Sequence, residues 1–234
     1  YKNELFAIGI SPPRVVRYDI LTGEKKSEIM LNNSERNFNG AVPWAGAALD
    51  SSNGILFTTT GNPRPANYGV TRPGPNKNAN SIIAIDLKGN RILWTFQETP
   101  HDVWDYDIGF PPILTEIKFK NKNIGVVIVV SKTGNTIILE RTTGRPAFDI
   151  NFRKAPKSSL ANEILSPLQI DSSTPRRLMK IAYDLSELKG MSEAKRKRIS
   201  RKIEKSKFGW FEPPMFGKDL IVFGLHGGAL WPGG

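Results

Sequence analysis

The chain has 234 residues, enough for one large or two small domains, and its lack of cysteine excludes disulfides and thiolate metal sites within it. Its 21 glycines and 17 prolines are unusual for a helical protein and common in β proteins with many turns. The net charge of +11 raises the question of an anionic partner, and no apolar run approaches the ~20 residues of a membrane-spanning helix. Neither Tyr1 nor Gly234 is typical of a natural terminus, so we expect a piece of a longer protein.

A short pattern occurs three times along the chain, at residues 18–24, 84–90 and 139–145. Each copy follows an apolar, β-type run and combines an acidic residue with a glycine, which can supply the positive φ of a turn. The pattern predicts hairpin turns, and recurrence at intervals of roughly 50–70 residues is typical of four-stranded propeller blades enlarged by loops. Generic β-hairpins outside a propeller are the alternative.

The segment at residues 192–205 differs from the rest because it lacks Gly and Pro and is rich in helix formers. Ser192 is a suitable N-cap, so we predict a basic helical insertion at about residues 184–207. The window 176–207 holds twelve basic and four acidic side chains, which accounts for most of the net charge. We interpret this window as a solvated surface, and binding to nucleic acid or another anionic surface is the alternative. No aromatic residue lies among the charges of residues 189–207, which disfavours single-stranded nucleic acid.

The stretch from His101 to Asp107 is the most unusual in the chain, with three carboxylates, a histidine and two aromatic side chains. In an extended segment, Asp105 and Asp107 project from the same face. Two carboxylates at such a short distance repel each other unless a proton or a cation lies between them. A hard cation bound by oxygen atoms would remove this repulsion. The pattern indicates a metal or catalytic site, and a solvated turn with capping aspartates is the alternative.

Three further side chains are candidates for the same site. Asn62 offers an uncharged oxygen just past a strand, at the start of a polar loop, residues 61–76, that is too long for an ordinary hairpin connection. Lys132 follows a β-type run and can donate a hydrogen bond to an oxyanion, although an ordinary turn lysine is the commoner case. Trp44 is either a core aromatic or a stacking platform. Phosphate-binding glycine loops, a nucleophile elbow and a multi-histidine zinc site are all absent from the sequence.

The order of these residues resembles the pyrroloquinoline quinone-dependent alcohol and glucose dehydrogenases. The resemblance is strongest over about residues 40–150, where Trp44 and Asn62 are 18 positions apart and Asp105 and Lys132 are 27 apart. It continues through Gly209-Trp210-Phe211-Glu212-Pro213-Pro214 and the final glycine-rich stretch, and these features are most similar to the membrane-bound glucose and polyol branch. A lysine at position 132, where the methanol branch has arginine, agrees with that branch.

The resemblance implies an all-β fold, in which residues 1–234 form a partial β-propeller, roughly half of an eight-bladed ring, with a short helical insertion. It implies catalytic roles for Asp105 and Lys132, a metal-binding role for three oxygen ligands, and contact of three side chains with the quinone. The implied metal ligands are Asn62, Asp105 and Asp107, and the implied quinone contacts are Trp44, Lys132 and Trp231. His101 is a weaker candidate for lining the site.

The resemblance also implies a function. We expect an oxidoreductase that transfers hydride from a sugar, polyol or alcohol to the quinone, with calcium or a lanthanide as Lewis acid and ubiquinone or a cytochrome c as electron acceptor. We expect a periplasmic location, a membrane anchor outside this chain if there is one, and no nucleic-acid partner. The family's metal-binding glutamate precedes the position of Tyr1, so we expect the isolated chain to hold the cofactor poorly. A propeller scaffold without activity and a basic binder of nucleic acid or anionic surfaces are the alternatives.

Overall fold

The computed structural model describes most of the chain as a succession of antiparallel sheets joined by long connections. The described residues are 1–31, 38–172, 174–181, 185–222 and 227–229. The strands within them are β1 (Glu4–Ile10), β2 (Pro13–Asp19), β3 (Lys25–Met30), β4 (Asn39–Gly40), β5 (Ala47–Asp50), β6 (Ile55–Thr59), β7 (Pro63–Arg64), β8 (Ser81–Asp86), β9 (Arg91–Gln97), β10 (Ile113–Phe119), β11 (Lys122–Val130), β12 (Thr136–Glu140), β13 (Phe152–Lys154) and β14 (Leu168–Ile170).

Three sheets follow one another along the chain in the orders β1-β2-β3, β5-β6-β8-β9 and β10-β11-β12, and every pairing in them is antiparallel. Two short pairs, β4-β7 and β13-β14, complete the described sheets. Because neighbouring strands are mostly consecutive in sequence, each larger sheet is a meander of the kind expected for a propeller blade. This arrangement agrees with the predicted all-β fold.

The three repeated segments are hairpin turns, as predicted. Asp19 and Asp86 each accept hydrogen bonds from the backbone N–H groups two and three residues later, at 2.8–3.1 Å. Gly23 and Gly144 have φ values of +72° and +69°, which a glycine adopts without steric cost. In the middle copy Asn90, with a φ of +52°, takes the left-handed position instead of the glycine before it. An aspartate cap and one left-handed residue therefore define the first two turns.

The four-stranded sheet is buried on both faces, which is why its inner strands β6 and β8 are continuous apolar runs. Because successive side chains of a strand point to opposite faces, one set packs toward β11 and β12 and the other toward β2 and β3. The first cluster contains Ile55, Phe57, Ile82, Ala84, Val127, Val129, Ile137 and Leu139. The second contains Leu56, Ile83, Ile85, Val15, Ile29 and Leu31. Hydrophobic burial on both faces thus fixes the three sheets against one another.

The long connection between β6 and β8 is ordered around the guanidinium of Arg72, which is fully buried. Arg72 donates hydrogen bonds to the carbonyl oxygens of Pro65, Ala66 and Asp102 and to the side chain of Asn76. A buried guanidinium is tolerated where its N–H groups find acceptors, as they do here. Arg72 therefore ties this loop to the later segment that begins at His101.

The predicted basic helix is present as α1 (Glu193–Lys205), preceded by a single 3₁₀ turn (Leu185–Leu188). None of its residues is buried, and Ser192 precedes it without forming a side-chain cap hydrogen bond. Seven of its thirteen residues are Lys or Arg. Two of these occupy the last turn, where their positive charges interact favourably with the negative end of the helix dipole. Among the described residues no helix is long and apolar enough to cross a membrane.

Candidate active site

Five of the side chains predicted from the sequence meet at one place, although they come from four separate connections. Trp44 precedes β5, Asn62 follows β6, Asp105 and Asp107 lie between β9 and β10, and Lys132 lies in the turn between β11 and β12. The packed sheets bring these connections together at the ends of their strands. We call Trp44, Asn62, Asp105, Asp107 and Lys132 the central cluster.

The ammonium group of Lys132 lies between the two carboxylates of the central cluster. Its Nζ is 3.2 Å from Asp105 Oδ2 and 3.2 Å from Asp107 Oδ1, and it also donates to the Asp105 carbonyl oxygen at 3.1 Å. The side chains of Lys132 and Asp107 are each 7% exposed, whereas that of Asp105 is 27% exposed. The cation offsets the repulsion that two neighbouring carboxylates would otherwise suffer.

Each carboxylate also has a neutral partner that fixes its orientation. Asn62 Nδ2 donates to Asp105 Oδ1 at 2.7 Å, and Trp44 Nε1 donates to Asp107 Oδ2 at 3.0 Å. Because the amide nitrogen of Asn62 faces Asp105, its carbonyl oxygen is left as the acceptor or ligand atom of that side chain. Every polar side chain of the central cluster is therefore oriented by at least one specific hydrogen bond.

Gly61 makes this close approach possible. A Cβ atom at this position would lie 2.6 Å from Asp107 Oδ2 and 2.7 Å from Trp44 Nε1, which is shorter than real Cβ contacts allow. The backbone is fixed on both sides, since Gly61 N donates to the carbonyl of Val42 and its own carbonyl accepts from Asn80. The glycine of Thr60-Gly61-Asn62-Pro63 is thus required by the Trp44–Asp107 hydrogen bond.

The segment that carries the two aspartates is not extended, so the predicted reason for their convergence was wrong, although they do converge. No strand is assigned to residues 101–107, and Asp105 has a left-handed φ of +65°. Asp102 shapes the turn by accepting hydrogen bonds from the backbone N–H groups of Trp104 and Tyr106, each at 2.8 Å. The capping aspartate that was the alternative is therefore also present, at a different position from the two in the central cluster.

Burial raises the pKa values of two carboxyl groups in this segment. Loss of hydration raises the pKa of Asp107, and the nearby Asp105 charge adds to it, while Lys132 opposes the shift. Burial raises the pKa of Asp102 to about 6, against the opposing hydrogen bond from the Asn80 amide. Asp102, a residue that the sequence did not single out, is therefore held in a strongly perturbed environment next to the central cluster.

His101 forms a buried clamp between two loops. Its Nδ1 lies 2.6 Å from the carbonyl oxygen of Gly74 and its Nε2 lies 2.6 Å from Glu163 Oε1. Because a carbonyl oxygen only accepts, Nδ1 is the donor to Gly74, and Nε2 faces the Glu163 carboxyl group. Its role in lining the site stays a prediction, and Trp231 lies outside the described residues.

The turn that carries Lys132 is also held by a late part of the chain. Gly228 N donates to the Lys132 carbonyl oxygen at 2.9 Å, and a Cβ at Gly227 would lie 2.4 Å from that same oxygen. Gly227 has a φ of +59°. Two consecutive glycines therefore let this later backbone pack directly on the lysine turn, a signal present in the sequence only as a glycine pair.

The side chains of the central cluster fit a flat, polar cofactor and a hard cation in part. Trp44 is half-buried with its N–H fixed, so a flat molecule can stack on the ring. Asn62, Asp105 and Asp107 provide oxygen donors of the kind that calcium and lanthanides prefer, but such ions take about six to eight oxygens. In the part of the chain that the structure describes, no three His, Cys, Asp or Glu side chains gather as a metal site, so further donors are needed.

The family model for the β-propeller domain of PQQ-dependent glucose, ethanol and alcohol dehydrogenases matches residues 15–234. The glycerol dehydrogenase large subunit of Gluconobacter thailandicus is 29% identical over 237 residues, covering 94% of this chain and 32% of that protein. Quinoprotein glucose dehydrogenase A of Acinetobacter calcoaceticus is 33% identical over 122 residues, covering 51% of this chain and 15% of that protein.

A solved structure, the quinohemoprotein alcohol dehydrogenase of Comamonas testosteroni, has a TM-score of 0.56 at 23% identity, covering 78% of this chain and 32% of that one. The described chain thus spans about a third or less of the relatives it matches. The match to that structure supports the same fold, and the family match confirms the resemblance seen in the sequence. The chain therefore belongs to the PQQ-dependent glucose, ethanol and alcohol dehydrogenases and forms part of their β-propeller domain.

Proposed function

We propose that this chain carries the active site of a pyrroloquinoline quinone-dependent dehydrogenase that oxidises a hydroxyl group of a sugar, polyol or alcohol. The observation that carries the proposal is the hydrogen-bonded central cluster. Burying two carboxylates and an ammonium costs free energy, so a scaffold without activity has no physical need to gather them beside a half-buried indole. We therefore favour an enzyme over a scaffold.

Asp105 is the general base in this proposal. It is the most exposed of the three charged side chains of the central cluster, so a substrate hydroxyl can approach it. Asn62 engages one carboxylate oxygen and Lys132 the other, which fixes the direction from which Asp105 accepts the hydroxyl proton. A positioned base of this kind contributes about 10²–10⁴ to a rate.

Lys132 is the electrostatic partner of the reaction. Its ammonium is buried and held by three hydrogen bonds to Asp105 and Asp107, so its positive charge is fixed in position and stabilises oxygen charge that develops nearby with little reorganisation. A flexible surface lysine would first lose the freedom of its side chain. The pre-organised ammonium therefore stabilises negative charge more effectively.

Trp44 is the stacking platform, and its indole plane is fixed through the hydrogen bond to Asp107. Pyrroloquinoline quinone, when bound, supplies the two-electron acceptor for the hydrogen that leaves the substrate carbon. Asn62, Asp105 and Asp107 would hold the metal, calcium or a lanthanide, through their oxygen atoms. The metal, when bound, supplies a Lewis acid.

The test is reconstitution of the full-length protein with pyrroloquinoline quinone and either calcium or a lanthanide, followed by measurement of dye reduction. Because two relatives are a glycerol dehydrogenase and a glucose dehydrogenase, we expect glycerol, other polyols or glucose to be oxidised faster than methanol. We expect no dye reduction without the quinone. A reconstituted protein that turns over no hydroxyl substrate with either metal would contradict the proposal.

The electron acceptor and the location are further parts of this proposal. The family resemblance supports ubiquinone or a cytochrome c as acceptor and a periplasmic location, with any membrane anchor outside this chain. Cell fractionation tests the location, and reoxidation of the reduced enzyme by each acceptor distinguishes the two. Recovery of the full-length protein in the cytoplasm would contradict the proposed location.

A further inference from the structure

Glu98 is a buried glutamate that contacts the turn carrying Lys132, and it has no part in the proposed reaction. It follows β9, its residue is 1% exposed, and its backbone N–H donates to the carbonyl of Asn80 at 2.9 Å. Burial raises the pKa of Glu98, against the hydrogen bonds that its carboxylate accepts. Burial of a carboxyl group costs free energy, so the groups around Glu98 must compensate for this cost.

All three hydrogen bonds to the Glu98 carboxylate come from the turn that carries Lys132. Oε1 accepts from Thr133 Oγ1 at 2.6 Å, from Ser131 Oγ at 2.7 Å and from Asn135 Nδ2 at 2.7 Å. Lys132 itself points away to the central cluster, where it contacts Asp105 and Asp107. A single carboxylate oxygen thus holds the residue on each side of Lys132.

The same carboxylate joins the two chain segments whose charges must meet. Glu98 begins the connection that carries Asp105 and Asp107, and the residues that donate to it lie 33–37 positions later, in the turn that carries Lys132. Only one backbone hydrogen bond in the described structure, from Lys132 N to the Asp107 carbonyl at 3.3 Å, runs directly between these segments near the site. The Glu98 side chain therefore adds three further hydrogen bonds between the two segments, all to one carboxyl oxygen, and hydrogen bonds to a carboxylate are the stronger kind when it is ionised.

We infer that Glu98 is a positioning residue, which fixes the Ser131–Asn135 turn so that the Lys132 ammonium stays between Asp105 and Asp107. This inference rests on the proposed function, because it concerns the reactive placement of Lys132. Within the described residues Glu98 forms no hydrogen bond with Asp105 or Asp107, so it acts through the turn. A small displacement of a catalytic group can lower a rate by about 10²-fold, which makes such a support consequential.

The experiment compares Glu98→Gln with the wild type in the full-length protein. Glutamine keeps the shape, and its one oxygen can take the place of Oε1, but that oxygen cannot carry a negative charge, so the three hydrogen bonds that it accepts are weaker. Glu140→Gln is the matched control, since Glu140 also accepts a threonine hydroxyl in a turn, from Thr143 at 2.8 Å, but lies outside the site. Hydrogen exchange of residues 131–135 in the cofactor-free protein is measured beside kcat and KM of the reconstituted enzyme.

We expect Glu98→Gln to speed amide exchange in the turn by roughly 10- to 100-fold and to lower kcat by a similar factor, with KM changed by less than about threefold. The control should change neither quantity. In a Lys132→Ala background Glu98→Gln should have no further effect on kcat, because the positioned group is gone. Wild-type exchange and kcat in Glu98→Gln, or the same loss of kcat with and without Lys132, would overturn the inference.

A second variant and a second measurement allow the inference to be tested even if Glu98→Gln or the activity assay fails. If Glu98→Gln does not fold, Thr133→Val removes one of the three donors and is judged by the same exchange and kinetic criteria. If the reconstituted wild type oxidises no substrate, the proposed function fails, whereas the exchange measurement still shows whether Glu98 holds the turn. If the wild type is active and Glu98→Gln leaves amide exchange in the turn unchanged, the inference about Glu98 is rejected, whereas the proposed function is not.

Discussion

Replacement of Asp105 by asparagine should abolish most turnover while the fold survives. Asparagine adopts the left-handed φ of +65° at this position at least as readily as aspartate, so the backbone is not strained. The Asn62 amide fixes an oxygen at the Oδ1 position, which directs the new NH₂ group toward Lys132 Nζ, 3.2 Å from Oδ2 in the wild type. One charge-assisted hydrogen bond is lost, but Lys132 keeps Asp107 and the carbonyl at residue 105.

The expected loss of stability in Asp105→Asn is much smaller than the expected loss of activity. Loss of the hydrogen bond at a partly exposed carboxylate costs about 1–2 kcal/mol of stability, whereas loss of the base lowers kcat by about 10²–10⁴-fold. We expect Asp105→Asn to retain nearly wild-type thermal unfolding and quinone binding and to reduce dye at least 100-fold more slowly. Asp86, whose side chain is 24% exposed and caps the turn after β8, provides the control variant Asp86→Asn, which should keep full activity. Turnover within a few-fold of wild type in Asp105→Asn would refute the assignment of the base.

Three further predictions concern neighbouring groups. The folded pKa of Asp102, about 6, exceeds the unfolded value of 3.8, so the native state binds its proton more tightly. It therefore contributes stability that is present below pH ~4 and lost as the pH rises to ~6, about 3 kcal/mol in all; denaturant unfolding across this range should show a slope that is absent in Asp102→Asn. Glu163→Ala leaves the buried His101 without its partner and should lower the free energy of unfolding by about 3–5 kcal/mol, and a loss below 1 kcal/mol in the same assay would contradict the clamp. Trp44→Phe keeps a ring but loses the N–H bond to Asp107, so titration should show roughly tenfold weaker quinone binding, and unchanged affinity would show that this bond does not orient the platform.

The turns and the helix were predictable because their signals are local. An acidic residue followed by Gly23 or Gly144 specifies a turn through nearby backbone hydrogen bonds, and α1 follows from a run of helix formers without Gly or Pro. The left-handed residue Asn90 was missed because asparagine and glycine both tolerate positive φ, and the choice between neighbours depends on the strand register. The local sequence thus predicts the type of element more reliably than it predicts which residue of a turn adopts a positive φ.

The site was predictable only in part. The family resemblance led to the residues of the central cluster, and the structure brings them together. The partners of Glu98 and Asp102 lie in other segments or in the backbone, so neither role leaves a pattern in the sequence. The extended geometry assumed for Asp105 was wrong because Asp102 caps a turn and Asp105 itself adopts a left-handed φ. Supporting residues are therefore harder to predict than the groups they support.

The packing of Gly228 on the lysine turn has a consequence for biosynthesis. Lys132 is synthesised roughly a hundred residues before Gly228, whose backbone N–H donates to the Lys132 carbonyl oxygen. This hydrogen bond can therefore form only several seconds after the residues of the turn have been made. During that interval the sheets around β8 and β11 have all the described residues of their shared core except Ala229, while the lysine turn still lacks one of its supports. The proposed catalytic centre is therefore expected to form after most of its scaffold, and a nascent chain released before residue 227 would carry a largely formed core around an incomplete site.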